Sequence, residues 1–373
     1  MTGKSAVRVL IVDDSAMVRK ILSMAFDADP GFEVVGLAHN VTTAQKLLDE
    51  QKPDVITLDI EMPQIDGLTW LRQLMGWKPV PVVVISSLSQ GSADVSMMAL
   101  ETGAVDVIPK PMGGVGAGLG PIMEEIKSRV RAAAYADLTR ISLPRTIRAA
   151  RQRPAWPRRH GQKVMAIGSS TGGVQALARI LPVFPGDSPA ILIVQHLPEG
   201  FTASFAKRLD GLCDMEVREA KDGDLVQDGL VLLAPGGTRH MTVRRIGALY
   251  RIALTEGTHV NFSRPSVDVL FRSVATAAGV NAVGAILTGM GRDGAAGLLE
   301  MRKAGGRTIA QDENTSVVYG MPAIAAEMGA ANLVLPLDSI PDAMMRDPAR
   351  PEPADPTDQY AIDRTGLLRG GPN

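Results

Sequence analysis

The 373-residue chain has a single cysteine, Cys213, which excludes an internal disulfide framework and fits a reducing compartment. No apolar run approaches the ~18 residues that a membrane-spanning helix needs. The opening MTGKSAVRVLIVDD runs straight into a strand-like stretch and two acids, without the apolar core of a signal peptide. Charge of one sign is missing as well: the formal net charge is −1 with 21% charged residues, so the chain as a whole announces no nucleic-acid partner. These absences predict a cytoplasmic protein without membrane insertion. What is present is ordinary globular composition, 45% hydrophobic. The length exceeds what one core usually organises, at roughly 100–200 residues per domain, and predicts two.

From Val7 to Lys110, aliphatic stretches (VRVLIVDD, FEVVGLA, VITLDIE, VPVVVISS, AVDVIPK) alternate with helical patterns, which predicts a parallel sheet covered on both faces. A second alternating series begins at Val164 and runs through PAILIVQHLP, LVLLAPGGTRH, NAVGAILTGMGRDG, RTIAQDE and ANLVLPL, with a hairpin-like insert around 230–255. The fold class expected is α/β, a flavodoxin-like N-terminal domain followed by a doubly wound, mainly parallel C-terminal domain. Between them, residues 127–160 hold ten Lys or Arg against one acid, a balance of +9; the first part can extend a helix, while ISLPRTIRAARQRPAWPRRH has the prolines and charge of a linker. With one Trp and no interleaved stacking aromatics, this segment reads as a solvated connection rather than a nucleic-acid tail. The expected divisions are 5–123, a basic linker 124–160, a second domain 161–346, and a proline- and charge-rich tail 347–373 that cannot bury a core.

In the first domain Asp13 and Asp14 close one strand and Asp59 another, so all three face one crevice at the carboxyl edge of the sheet. Three carboxylates there repel unless a cation sits among them, and oxygen ligands with open positions suit Mg²⁺. Lys110 and the hydroxyl of Ser86 end two further strands at the same edge. A carboxylate beside Mg²⁺ and a lysine is equipped to attack a phosphoryl donor. Any one such acid is ordinarily a solvated cap; the combination of DD, D-x-x-M-P, Ser and K-P resembles the receiver domain of bacterial response regulators over about residues 5–123. The resemblance implies that Asp59 is the phosphoacceptor, that Asp14, Asp59 and the backbone carbonyl of Glu61 hold Mg²⁺, and that Asp13 contacts it through water. It also implies Ser86 as the switch hydroxyl and Lys110 as the phosphate partner. Val107 stands where many receivers keep an aromatic switch residue.

The second domain opens with VMAIGSSTGGVQALARIL, a strand, a glycine-rich turn and a helix. Such a loop can cradle phosphate at a helix start or raise a serine as a nucleophile. It lacks both the lysine of a P-loop and the G-x-G-x-x-G spacing, whereas Gly168 to Gly172 fits G-x-S-x-G around Ser170. A serine needs a base, and His196 ends the next strand, beside that loop. His240 and His259 read as substrate contacts. The base needs an orienting acid, and Asp293 follows an aliphatic strand in a glycine-rich turn; Asp268 and Asp312 are weaker candidates. Cys213 reads as packing, and the 18 methionines as core filler rather than metal ligands.

GSSTGG, QHLPEGFTASFAKRL, HVNFSRPSVDVLF and LTGMGRDGAAGL, in this order behind a receiver, resemble the chemotaxis protein-glutamate methylesterases of CheB type over about residues 5–346. The resemblance implies Ser170 as nucleophile, His196 as base and Asp293 as its acid, with Thr171 and the backbone N–H of Met290 near the oxyanion. It implies hydrolysis of glutamate methyl esters, and deamidation of particular glutamines, on methyl-accepting chemoreceptors. It further implies phosphorylation by the chemotaxis histidine kinase that relieves blocking of the site by the receiver. Three other readings compete: a receiver-controlled DNA-binding regulator, though no helix-turn-helix follows the linker; a nucleotide-binding domain using the glycine loop; and a noncatalytic receptor-docking module.

Overall fold

A computed structural model of the chain describes residues 6–63, 65–87, 89–111, 119–140 and 163–346. The expected tail 347–373 and most of the expected linker lie outside these residues. The chain forms two compact units.

The first unit alternates β1 (Val7–Val12), α1 (Ala16–Asp27), β2 (Phe32–Ala38), α2 (Val41–Gln51), β3 (Val55–Asp59), α3 (Gly67–Trp77), β4 (Val82–Ser86), α4 (Gln90–Thr102), β5 (Asp106–Pro109) and α5 (Leu119–Ala134). Its five strands are parallel in the order β2-β1-β3-β4-β5. This is the flavodoxin-like order, with its switch point between β1 and β3. Every residue of β3 and β4 is buried, which is what aliphatic strands with helices on both faces require. Each helix start is supplied with an acceptor by the sequence: Ser15, Asn40, Asp66 and Ser89 cap α1 to α4 through their side chains. Gly67 opens α3 hard against the strand end, where a Cβ would stand 2.3 Å from the Asp59 carbonyl oxygen.

The expected boundary at 123/124 falls inside α5. Ile126, Val130 and Ala133 are buried, so the helix continues because its apolar face covers the sheet. Three of the basic residues counted in the linker are also engaged here. Arg129 reaches Asp106 at 3.1 Å and Glu125 at 2.9 Å, while Lys127 and Arg131 stand 3.6 and 3.0 Å from Asp29. The start of the basic segment is thus a neutralised helix face rather than free positive charge.

The second unit contains β6 (Val164–Ser169), α6 (Gly173–Ile180), β7 (Ile191–Gln195), α7 (Phe201–Asp210), β8 (Glu216–Glu219), β9 (Leu225–Val226), β10 (Leu230–Leu233), β11 (Arg239–Ile246), β12 (Leu249–Glu256) and α8 (Val267–Ala278). It continues with β13 (Ala282–Ile286), α9 (Ala295–Lys303), β14 (Arg307–Gln311), α10 (Met321–Glu327), β15 (Leu333–Leu335) and α11 (Ile340–Met345). Seven strands form a wholly parallel sheet in the order β15-β14-β13-β6-β7-β10-β8. From β6 the chain adds β7, then the edge strand β8, then β10 between those two, and finally returns to build outward from β13 on the other side of β6. The hairpin expected around 230–255 is β11 and β12, which pair antiparallel with each other, and β12 pairs on its other side with β9 in a small separate sheet, whereas β10 belongs to the main sheet. Four consecutive buried aliphatic residues in β10 explain the difference, since a strand buried on both faces belongs at the interior of a sheet.

Candidate functional site

Reversal of strand order at β6 and β13 opens a crevice beyond their carboxyl ends, the place where open α/β sheets bind ligands. Ser170 follows β6, His196 follows β7 on one flank, and Asp293 lies beyond β13 on the other. All three are at most 7% exposed.

The serine loop is pinned from both sides. Ser170 N–H donates to the Thr288 carbonyl at 3.0 Å, and His196 N–H donates to the Ser169 carbonyl at 3.1 Å. Gln195 accepts from Ser169 Oγ at 2.6 Å and donates Nε2–H to the Ser170 carbonyl at 2.9 Å. No motif marks Gln195 in the sequence. The signal was there, because a polar side chain in an otherwise aliphatic buried strand must find hydrogen bonds inside the protein. Gly289 packs against the serine: a Cβ there would stand 2.7 Å from Ser170 Cβ. Met290 follows it, half-buried, and Thr171 is buried next to Ser170.

Asp293 is ionised. Burial drives its pKa up, but the bond from His196, a hydroxyl from Ser266 and the Val267 N–H outweigh this and hold it below the usual carboxylate range. His196 Nε2 lies 2.9 Å from Asp293 Oδ2. Against an ionised carboxylate Nε2 is the donor, and Ser263 Oγ stands 3.4 Å from the other ring nitrogen, Nδ1. Ser266 Oγ donates to Asp293 at 2.7 Å, and the N–H groups of Val267 and Asp268, at the start of α8, donate at 2.7 and 3.2 Å. Asn261 Nδ2 adds a bond to Asp293 at 3.2 Å and one to Asp268 at 2.8 Å.

Asp268, weighed as an alternative acid, stands behind Asp293, and its carboxylate accepts from Gly297 N–H in α9. Asp312 instead caps its own turn through Thr315. His240 is buried and structural: its Nδ1 accepts from Ser266 N–H at 3.1 Å and its Nε2 donates to the Thr258 carbonyl at 2.9 Å. The expectation of a substrate contact at His240 is corrected accordingly. His259 is exposed.

In the first unit, oxygens of Asp13, Asp14 and Asp59 lie within 4.8 Å of one another. Lys110 Nζ donates to Asp59 at 2.6 Å and lies 3.7 Å from Asp13. Asp13 Oδ2 is buried and receives no hydrogen bond. Burial, then the Asp59 charge, push the Asp13 carboxyl up to about 6. An orphaned buried carboxylate oxygen facing two further acids is the donor set of a hard divalent cation, so these residues fit Mg²⁺. The Glu61 side chain turns away from this cluster and accepts from the hydroxyls of Ser87 and Ser92. Its backbone N–H donates to Asp59 at 3.0 Å. Ser86 and Val107 are fully buried on β4 and β5.

Residues 165–344 match the CheB methylesterase family, and residues 9–115 match the response regulator receiver domain family. The protein-glutamate methylesterase/protein-glutamine glutaminase of group 2 operon of Cereibacter sphaeroides is 56% identical over 338 residues, 91% of each chain. The protein-glutamate methylesterase/protein-glutamine glutaminase 5 of Anaeromyxobacter dehalogenans is 49% identical over 92% of this chain and 98% of its own. Among solved structures, the CheB methylesterase catalytic domain of Thermotoga maritima is 40% identical, covering 49% of this chain and 97% of that one, with a TM-score of 0.48. No helix among the described residues is long and apolar enough to cross a membrane.

Proposed function

Because the chain belongs to the CheB family of protein-glutamate methylesterases and protein-glutamine glutaminases, with a receiver domain ahead of a methylesterase domain, we propose that it is a phosphorylation-activated serine hydrolase. It demethylates glutamate methyl esters on methyl-accepting chemoreceptors and deamidates particular receptor glutamines. The observation that carries this reading is the buried His196–Asp293 pair at the strand ends flanking the loop that bears Ser170.

In this reaction Nδ1 of His196, the ring nitrogen that does not face Asp293, takes the Ser170 proton as Oγ attacks the ester carbonyl. Asp293 holds Nε2–H and favours the imidazolium that forms. The oxyanion lies near Thr171 and the backbone N–H of Met290, where one well-placed donor is worth about 10²–10³ in rate. The imidazolium then returns its proton to the departing methoxy oxygen, and methanol leaves. Water, deprotonated by the same nitrogen, hydrolyses the acyl-enzyme and releases Ser170 with the proton restored. A glutamine follows the same route and releases ammonia.

Asp59 accepts the phosphoryl group from the chemotaxis histidine kinase. Asp14, Asp59 and the backbone carbonyl of Glu61 would hold Mg²⁺, Asp13 would contact it through water, and the ion would supply positive charge to offset that of the phosphoryl group. Lys110 is the cation ready to pair with the phosphoryl oxygens once Asp59 is modified, and Ser86 supplies the switch hydroxyl. Phosphorylation relieves the receiver's block of the hydrolase, and a tenfold change in open sites requires only about 1.4 kcal/mol of differential stability. The buried Val107 leaves that coupling without an aromatic rotamer at its position.

The test is methanol release from methylated receptor, with and without a small phosphodonor. Ser170→Ala is expected to abolish release and Asp59→Asn to remove only the stimulation. Full activity of folded Ser170→Ala overturns the hydrolase assignment, and undiminished stimulation of Asp59→Asn overturns the regulatory one.

A further inference from the structure

Between β12 and α8 the chain makes a two-residue hairpin turn. Val260 and Ser263 exchange both backbone hydrogen bonds, at 3.1 and 2.9 Å, and the residues between them, Asn261 and Phe262, lie at φ 49° and 64°. Two successive positive φ angles mark a type I′ turn, whose favoured sequence is Asn-Gly. Asn261 suits its place, since asparagine tolerates the left-handed region and its amide is anchored on Asp268 and Asp293. Phe262 occupies the position that favours glycine. A bulky side chain there strains the backbone, and the ring recovers nothing by packing: at 86% exposure it is the most exposed large apolar side chain among the described residues.

A strained backbone that presents a bare aromatic ring is the reverse of what stability alone selects. The position of the turn gives the ring a use. The residue before Phe262 contacts the acid of the His196–Asp293 pair, and the residue after it, Ser263, places its hydroxyl 3.4 Å from His196 Nδ1. The ring therefore stands at the rim of the reacting centre, on a turn whose two neighbouring side chains are tied to that centre.

We propose that Phe262 is a specificity-determining residue that packs against the polypeptide flanking the ester-bearing side chain, covering apolar surface of the receptor when substrate docks. The assignment rests on the protein-ester hydrolase reading above. A small free ester has no such polypeptide, so the ring discriminates a receptor from a simple acyl compound.

The decisive variant is Phe262→Gly in the full chain activated by a small phosphodonor, because glycine adopts φ 64° freely and preserves the turn. Methanol release from methylated receptor, hydrolysis of p-nitrophenyl acetate and urea unfolding are measured side by side. On receptor, kcat/KM falls by roughly tenfold or more, the loss expected when one phenyl ring no longer buries its surface, and most of it appears in KM. The loss on p-nitrophenyl acetate is much smaller, the urea midpoint does not fall, and Phe262→Trp recovers most receptor activity. Equal losses on the two substrates, or undiminished receptor hydrolysis, overturn the proposal while leaving the hydrolase reading intact. A wild-type chain that releases no methanol overturns both.

Discussion

Asp293 and Asp268 cap each other's helices. Asp293, just ahead of α9, accepts the N–H groups of Val267 and Asp268 at the start of α8, while Asp268, in the first turn of α8, accepts Gly297 N–H at 2.6 Å near the start of α9. A carboxylate at a helix start meets free N–H groups and the positive end of the helix dipole. The acid facing His196 is therefore held by the same contact that locks two helices together.

Asp293→Asn separates the two roles. An amide cannot reproduce the ionised acceptor that fixes Nε2–H of His196, so kcat for methanol release is expected to fall by on the order of 10²–10⁴-fold. Asp268→Ala touches no ring nitrogen and removes the acceptor of the Gly297 N–H. It is expected to lower unfolding free energy by about 1–3 kcal/mol through the Gly297 bond, with a far smaller change in kcat. Urea unfolding and single-turnover kinetics on both variants make the comparison, and equal catalytic losses contradict it.

The same carboxylate sets an acid limit to stability. Asp293 has a lowered folded pKa, so the unfolded chain binds its proton more readily. Its contribution is complete above the unfolded carboxylate value of about 3.9 and is lost as pH falls through the lower folded value. The stability difference between wild type and Asp293→Asn is expected to shrink between pH 7 and pH 3. A difference that stays constant over that range shows that the charge carries none of it.

Gly289→Ala tests how closely the serine is positioned. The added Cβ would meet Met321 Sδ at 2.5 Å, Ser170 Cβ at 2.7 Å and Ser170 N at 3.1 Å, and relief of the two serine contacts moves the Ser170 loop relative to its neighbours. A displacement near 1 Å costs on the order of 10²-fold in rate. Methanol release is expected to fall by that order while the receiver still takes up phosphoryl groups, as read by acid-labile phosphate on the whole chain. Unchanged release refutes the close contact.

Burial, then the nearby charges of Asp210 and Asp214, push the Cys213 thiol up to about 12. At pH 8 the thiol is therefore protonated and a poor nucleophile. A disulfide-exchange reagent such as DTNB is expected to leave the folded protein unmodified at that pH and to titrate one thiol after urea denaturation. Rapid labelling of the native chain contradicts this.

Much of the architecture was legible along the chain because parallel strands buried on both faces leave uninterrupted aliphatic runs, as at VITLD and ILIVQ. The limits of legibility are equally specific. α5 reads as the head of a basic linker because Lys127, Arg129 and Arg131 dominate its charge, and the acids that neutralise them include Asp29 and Asp106, distant in sequence. His240 looks like a ligand-facing histidine for the same reason: the partners that occupy both its ring nitrogens, Thr258 and Ser266, lie in another loop.

The two α/β units and the residues that can do chemistry are written in the chain itself, because the order of strands, turns and polar strand ends is a local pattern. Tertiary structure decided which of those residues meet. It brought His196 to Asp293 across 97 positions, set Gln195 against the serine loop, turned the Glu61 side chain away from the three acids, and lifted Phe262 onto a turn beside the site. The physical reason is that hydrogen bonds and burial act over a few ångströms in space, and only the folded sheet converts distant strand ends into neighbours.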